Sequence, residues 1–234
     1  MPEAVRIQLE NAGLLPPRIA TDGTLGRLLT TAIELFSARG YHGVSVRDIS
    51  SAMGVKPSSL YAHYPSKMEL FSHLAYLANE EISHRLRGAL LTSSAHPEDQ
   101  LRATVQSYVT FHAEYPLLAT IGHNDLHVLS GATLHKVTQT RKEAVELVLA
   151  VITRGNEMDV FNCAQPWLAV AAIAGMGIRV AAWYRPPGHQ LDGGSEGYAG
   201  EVGEWMPKQF TIDEVGDAFA GYALDLVHCA SAKE

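Results

Sequence analysis

Residues Arg27–Phe71 read RLLTTAIELFSARGYHGVSVRDISSAMGVKPSSLYAHYPSKMELF, and their spacing decides the fold of the N-terminal part of the chain. With Leu25 just ahead of them, Leu28, Leu29, Ala32, Ile33 and Phe36 keep to one helical face, and Gly40 is placed to end the run. Ser45 stands three residues before Asp48, an N-cap with an acid in the first turn. Val46, Ile49, Ala52 and Met53 continue at helical spacing as far as Gly54, which is free to take a left-handed turn conformation. A third short helix fits residues 56–63, with Pro57 tolerated in its first turn. A short helix, a tight turn and a second helix of small polar and aromatic residues make a helix-turn-helix.

Outward from this stretch the chain continues to read as helix. Ser66 and Glu69 form an S-x-x-E capping box that opens a long helix through Leu70, Leu74, Leu77, Ile82 and Leu86. Helical spacing returns at 97–114, 116–129, 133–153 and 166–184, and Thr211 with Glu214 opens a last helix to about Cys229. Residues 185–210 are rich in glycine and proline and read as a long loop, and no strand pattern is evident. The expected fold is all-α with about nine helices, divided into an arm (1–20), a three-helix helix-turn-helix domain (21–67) and a helical body (68–234).

The 234-residue chain is 47% hydrophobic and 18% charged, an ordinary globular balance. Its net charge of −7 looks unsuited to nucleic acid until the charges are placed. Arg18, Arg27, Arg39, Arg47, Lys56 and Lys67 face only Asp22, Glu34 and Asp48 between residues 18 and 67, a local +3 against −9 over residues 68–234. Cys163 and Cys229 make neither a CxxC motif nor a disulfide framework, and no secretory pattern opens the chain, which points to a reducing cytoplasm. GxSxG, HExxH, P-loop and dinucleotide fingerprints are all missing, so neither an enzyme nor a cofactor is expected.

Ala32-x-x-Leu35-Phe36, Gly40-Tyr41, Ser45-Val46-Arg47-Asp48-Ile49, Gly54-Val55 and Leu60-Tyr61-x-His63-Tyr64-x-x-Lys67 together strongly resemble the DNA-binding domain of TetR-family regulators. The likeness runs over about 45 residues without a gap. Two positions depart from the family pattern: Ser50 replaces the usual alanine, and Tyr64 the commoner phenylalanine. The resemblance implies a double-stranded DNA operator as partner and a set of contacts to it. Ser45 would meet a phosphate at a helix N-terminus, a role compatible with being a cap, and Arg47 a phosphate or base edge. Lys56, Pro57, Ser58 and Ser59 would open the recognition helix, with Lys56 reading guanine. Tyr61, His63, Tyr64 and Lys67 would clamp phosphates, Tyr64 serving alternatively as core.

The body at 68–234 then reads as a ligand-binding and dimerisation domain. A helix-turn-helix of this size reads few base pairs, so a homodimer on half-sites about 34–36 Å apart is expected. Residues 166–184 are apolar except for Arg179, and Arg179 with the alanine-rich composition favours a buried intersubunit helix over a membrane span. Tyr108, Phe111, His112, Tyr115, His123, Asn124, His127, Trp167, Met176 and Trp183 offer the apolar surface and scattered polar groups of a small-molecule site. His123 and His127 lie four apart on an expected helix but have no third ligand at metal-binding spacing, so no metal is expected. The stretch Val151–Gly188, with Ile-Thr-Arg-Gly and Ala-Trp-Tyr-Arg-Pro-Pro-Gly, resembles TetR regulators of sterol and fatty-acid catabolism, some of which answer to acyl-CoA thioesters. A hydrophobic or acyl-CoA-like effector follows, acting on a repressor; an activator, or a binding protein without operator contact, are the alternatives. Residues 1–20 are open between a minor-groove arm, through Arg6 or Arg18, and disorder.

Overall fold

The computed structural model describes residues 14–20, 22–185 and 209–228, all of them helical or connecting. The expected long loop therefore falls almost wholly outside the described residues, as do Arg6 and Cys229. The nine α-helices among the described residues are α1 (Gly23–Arg39), α2 (Val46–Met53), α3 (Pro57–Tyr61), α4 (Lys67–Thr92), α5 (Pro97–Glu114), α6 (Pro116–His123), α7 (Gly131–Glu157), α8 (Pro166–Trp183) and α9 (Ile212–His228).

Local chemistry fixes several of their ends. Gly40 closes α1 at φ 67°, and Gly54 closes α2 in the left-handed region at φ 69°, where a side chain would be strained. Thr211 and Glu214 form a reciprocal box at α9: the Glu214 amide donates to Thr211 Oγ1 (3.1 Å) and the Thr211 amide to Glu214 Oε2 (2.8 Å). At α4 the Glu69 amide donates to Ser66 Oγ at 3.1 Å. The helix expected over 116–129 instead stops at His123, because Asn124 turns extended and Asp125 takes φ 54°. A single 3-10 turn, Leu126–Val128, follows.

Contacts gather the chain into two compact units, Met1–Glu81 with Glu114–Thr140, and Ile82–Ala113 with Arg141–Glu234. The first unit reaches beyond the 21–67 expected from sequence. Its core is Leu28, Ile33, Phe36, Ile49, Leu60, Phe71, Leu74, Leu118 and Ile121. Phe36 and Phe71 meet edge to face at 5.2 Å, and Asn79 on α4 donates to the Gly122 carbonyl of α6 at 3.1 Å. These long-range contacts recruit 114–140 to the same body. Arg18 is fixed here too, its Nε 2.9 Å from the carboxylate of buried Glu81 and its Nη2 paired with Glu80. Its guanidinium is thus committed to α4 rather than held out as an arm.

In the second unit Leu101, Val105, Val109, Ile152, Ile173, Val180, Ala220 and Val227 form the core. Two rings lie on bare helix backbone. A Cβ at Gly155 would fall 2.0 Å from the Phe161 ring, and one at Gly177 2.4 Å from the Tyr108 ring. α8 packs on α9, and Val170, Ile173, Gly177 and Val180 lie on the buried face of α8. Its opposite face leaves Trp167 and Leu168 62% and 58% exposed, with Ala171, Ala172 and Gly175 beside them. By length and composition α8 is apolar enough to cross a membrane.

Candidate nucleic-acid interface

The second helix of the first unit is held at its start by a complete capping box. Ser45 Oγ accepts from the Asp48 amide (3.1 Å), and Asp48 Oδ2 accepts from the Ser45 amide (2.7 Å) and hydroxyl (2.6 Å). The Ser45 hydroxyl and amide together hold the Asp48 carboxyl below its usual range. With the hydroxyl proton given to Asp48 and the Asp48 amide taken by Ser45, the groups suited to an incoming anion are the first-turn amides of Val46 and Arg47. At its other end α2 is closed by Arg27, whose Nη2 donates to the Met53 carbonyl at 2.9 Å.

Ser45, Arg47, Lys56, Pro57, Ser58, Tyr61 and His63 are all exposed, with Ser59 partly so. α3 begins with Lys56 as its N-cap and Pro57 in its first turn. Tyr61 is 54% exposed, far more than a tyrosine placed for packing. Together with His42, Ser45, Arg47, Asp48 and Lys67 it lines an open concavity of about 660 Å³. That hollow, lined by Arg47 and Lys67 and by the residues that open α2, has the chemistry to seat a phosphate.

Two expected clamps are placed differently. Lys67 Nζ donates to the carbonyls of Tyr41 (2.8 Å) and Val44 (2.7 Å) and lies 4.0 Å from the Tyr41 ring centroid. Burial pushes this ammonium below its usual value, partly countered by Asp48. One of its three donors is left for a phosphate, and the other two brace the loop that leads to Ser45. Tyr64 is half-buried, its hydroxyl hydrogen-bonded to His73 Nδ1. Each departure from the family pattern therefore finds a local partner: the buried Ser50 hydroxyl donates to the Arg47 carbonyl at 3.0 Å, and the Tyr64 hydroxyl has His73.

The candidate ligand residues are divided between the two compact units. Tyr115, His123, Asn124 and His127 belong to the first unit, with Asn124 and His127 exposed; Tyr108, Phe111, His112, Trp167, Met176 and Trp183 belong to the second. Trp167 stands out at the surface rather than in a wall. The inward group is Phe111, His112 and Tyr108, where the His112 ring lies 4.3 Å from that of Tyr108 and its Nδ1 2.8 Å from the Tyr108 carbonyl. Burial drives His112 down to about 4 and the Tyr108 hydroxyl well above its ordinary range. Among the described residues no group of three or more histidine, cysteine or acidic side chains is arranged to hold a metal ion.

The family described as bacterial regulatory proteins, tetR family, matches residues 28–74, and the tetracyclin repressor-like C-terminal domain matches residues 94–192. The HTH-type transcriptional repressor KstR2 of Rhodococcus jostii is 27% identical over 189 residues, 74% of this chain and 87% of its own length. The HTH-type transcriptional activator FasR of Mycolicibacterium smegmatis is 33% identical over 94 residues, 40% of this chain; the match spans only 42% of the activator's length. A regulatory protein of the tetR family from Rhodococcus RHA1 superposes with a TM-score of 0.75 at 25% identity, covering 90% of this chain and 100% of that one. AibR, solved with isovaleryl coenzyme A and operator DNA, gives a TM-score of 0.68 over 84% of this chain and 96% of its own, and at 18% identity it bears on the fold alone. These families and relatives are regulators, not enzymes.

Proposed function

The chain belongs to the TetR family of bacterial regulators, and from that premise we propose that it is a ligand-responsive repressor that binds a palindromic operator as a homodimer in the cytoplasm. The observation that carries this reading is the exposed row from Ser45 and Arg47 through Lys56–Ser59 to Tyr61, presented by two short helices of which the first is capped at both ends. Repression is favoured over activation because the relative similar over most of its length is a repressor, whereas the activator matches over a minor part. α8 and α9 supply the dimer face: Trp167, Leu168, Tyr222 and Leu226 are large apolar residues left at the surface.

The effector in this reading is a hydrophobic small molecule or acyl-CoA thioester, as the resemblance of Val151–Gly188 to regulators of sterol and fatty-acid catabolism implies. It releases the operator by binding better to a conformation in which the two recognition helices are wrongly spaced. Fluorescence anisotropy with the DNA flanking its own gene, at two salt concentrations, tests the reading. Tight binding that weakens steeply with salt, and is lost in the double variant Arg47→Ala, Tyr61→Ala, is the expected result. If neither that DNA nor any duplex selected from random sequence is bound, the reading is wrong. A site whose occupancy raises transcription would identify an activator instead.

A further inference from the structure

The connector after α6 makes a contact that its sequence does not suggest. Asp125 Oδ2 accepts the Tyr41 backbone N–H at 2.8 Å, across 84 positions of sequence. Gly40 lets the carboxylate come this close, since a Cβ there would stand 3.3 Å from the same oxygen. Asp125 adopts φ 54°, a left-handed conformation that side chains rarely take unless their surroundings enforce it. The 3-10 turn behind it is closed by the Val128 amide on the Asp125 carbonyl at 3.0 Å, and Leu129 is buried beneath. Two residues on, the His127 ring lies 6.2 Å from that of His42, which lines the concavity of the candidate DNA surface.

The loop from Gly40 to Ser45 is thus gripped at both sets of backbone groups. Asp125 takes the Tyr41 N–H, and Lys67 takes the Tyr41 and Val44 carbonyls. Immediately downstream stands the Ser45–Asp48 box that sets the direction of α2. A carboxylate on a backbone amide is among the stronger hydrogen bonds available to a protein, and here it is spent on a turn with no sheet or helix to hold it.

We propose that Asp125 is a positioning residue for DNA binding, its carboxylate holding the Gly40–Ser45 loop in the shape that the DNA surface needs. The inference rests on the operator-binding reading given above. It also makes residues 124–128 a point at which operator affinity is set from outside the helix-turn-helix: whatever withdraws this turn frees the loop.

Three forms of the full-length protein test it: wild type, Asp125→Gly and Asp125→Asn. Glycine keeps the left-handed backbone and removes the acceptor; asparagine tolerates the same backbone and keeps an oxygen in place. The readouts are affinity for a duplex selected by the wild-type protein, thermal midpoint, and hydrogen exchange at the Tyr41 amide. Expected are slow exchange in wild type, fast exchange and at least tenfold weaker DNA binding in Asp125→Gly, and affinity within about threefold of wild type in Asp125→Asn. Equal affinity in wild type and Asp125→Gly overturns the proposal, and so does an equal loss in both variants. If Asp125→Gly does not fold, the wild-type Tyr41 amide decides: unprotected exchange overturns the latch and protection sustains it. A wild-type protein that binds no duplex refutes the operator reading, and the Tyr41 amide still judges the latch.

Discussion

Lys67 carries a charge in the most DNA-like part of the chain, yet its ammonium is turned onto two backbone carbonyls and the Tyr41 ring. Lys67→Met keeps the aliphatic stem and loses both hydrogen bonds, which lowers stability by about 2 kcal/mol, measurable by urea unfolding. DNA binding falls with it, because the loop it braces leads straight to Ser45. His112 bears on stability through pH. The unfolded chain takes up a proton near pH 6.5, while the buried imidazole refuses it until about 4. Stability is therefore level above pH 6.5 and falls between there and pH 4, by about 3 kcal/mol from this residue. His73, pushed down by burial and then by Lys136, adds in the same sense. Unfolding curves at pH 7.0, 5.5 and 4.5 should flatten in His112→Gln; an unchanged slope would remove His112 from the account. Single residues were legible from sequence where their partners lie within a turn: the caps at Ser45, Thr211 and Glu214, and the closing glycines 40 and 54. The inward turn of Lys67 and the tie of Arg18 to Glu80 and Glu81 were not, because their partners lie 23 to 63 positions away.

At the scale of elements, helical spacing found all nine helices of the described residues and most of their ends, since an apolar stripe and a capping residue are both local signals. It failed at 124–129, where a left-handed Asp125 breaks what the apolar pattern alone would continue. It was equally silent on glycines inside helices, which have the same composition and opposite roles. Gly88 in α4 has nothing within 4 Å of an added Cβ, whereas at Gly177 in α8 that carbon would collide with the Tyr108 ring. Gly88→Ala should raise stability by about 0.5–1 kcal/mol, the helix-propensity gain. Gly177→Ala forfeits the same gain to overpacking and should lower it by about 1–3 kcal/mol. Paired calorimetry of the two variants decides; a rise in both would mean that the Tyr108 ring yields freely.

For the whole molecule, the charge distribution predicted a local DNA surface on an acidic chain, and the row on α2 and α3 proposed to form it is exposed. The residues proposed for a ligand site were the least legible, because composition alone cannot tell an inward aromatic such as Phe111 from an outward one such as Trp167. The exposed apolar face of α8 makes a prediction at this scale. Leu168→Glu, 58% exposed before substitution, should leave the fold intact and convert the protein to monomers in sedimentation velocity. Operator binding should then drop by two orders of magnitude or more, because the second half-site no longer contributes through the tether. A variant that remained dimeric would place the interface elsewhere.

The rings of Tyr108 and Phe161 rest on helix backbone where Gly177 and Gly155 have no side chain. Each of these sites couples two residues: a side chain can be added to the helix only where the ring has made room. Residues coupled in this way are expected to change in tandem, alanine at 177 fitting once 108 has shrunk or turned away. The pairs 108–177 and 155–161 should therefore vary together among descendants of this chain, an ancestral constraint recorded in two absent methyl groups.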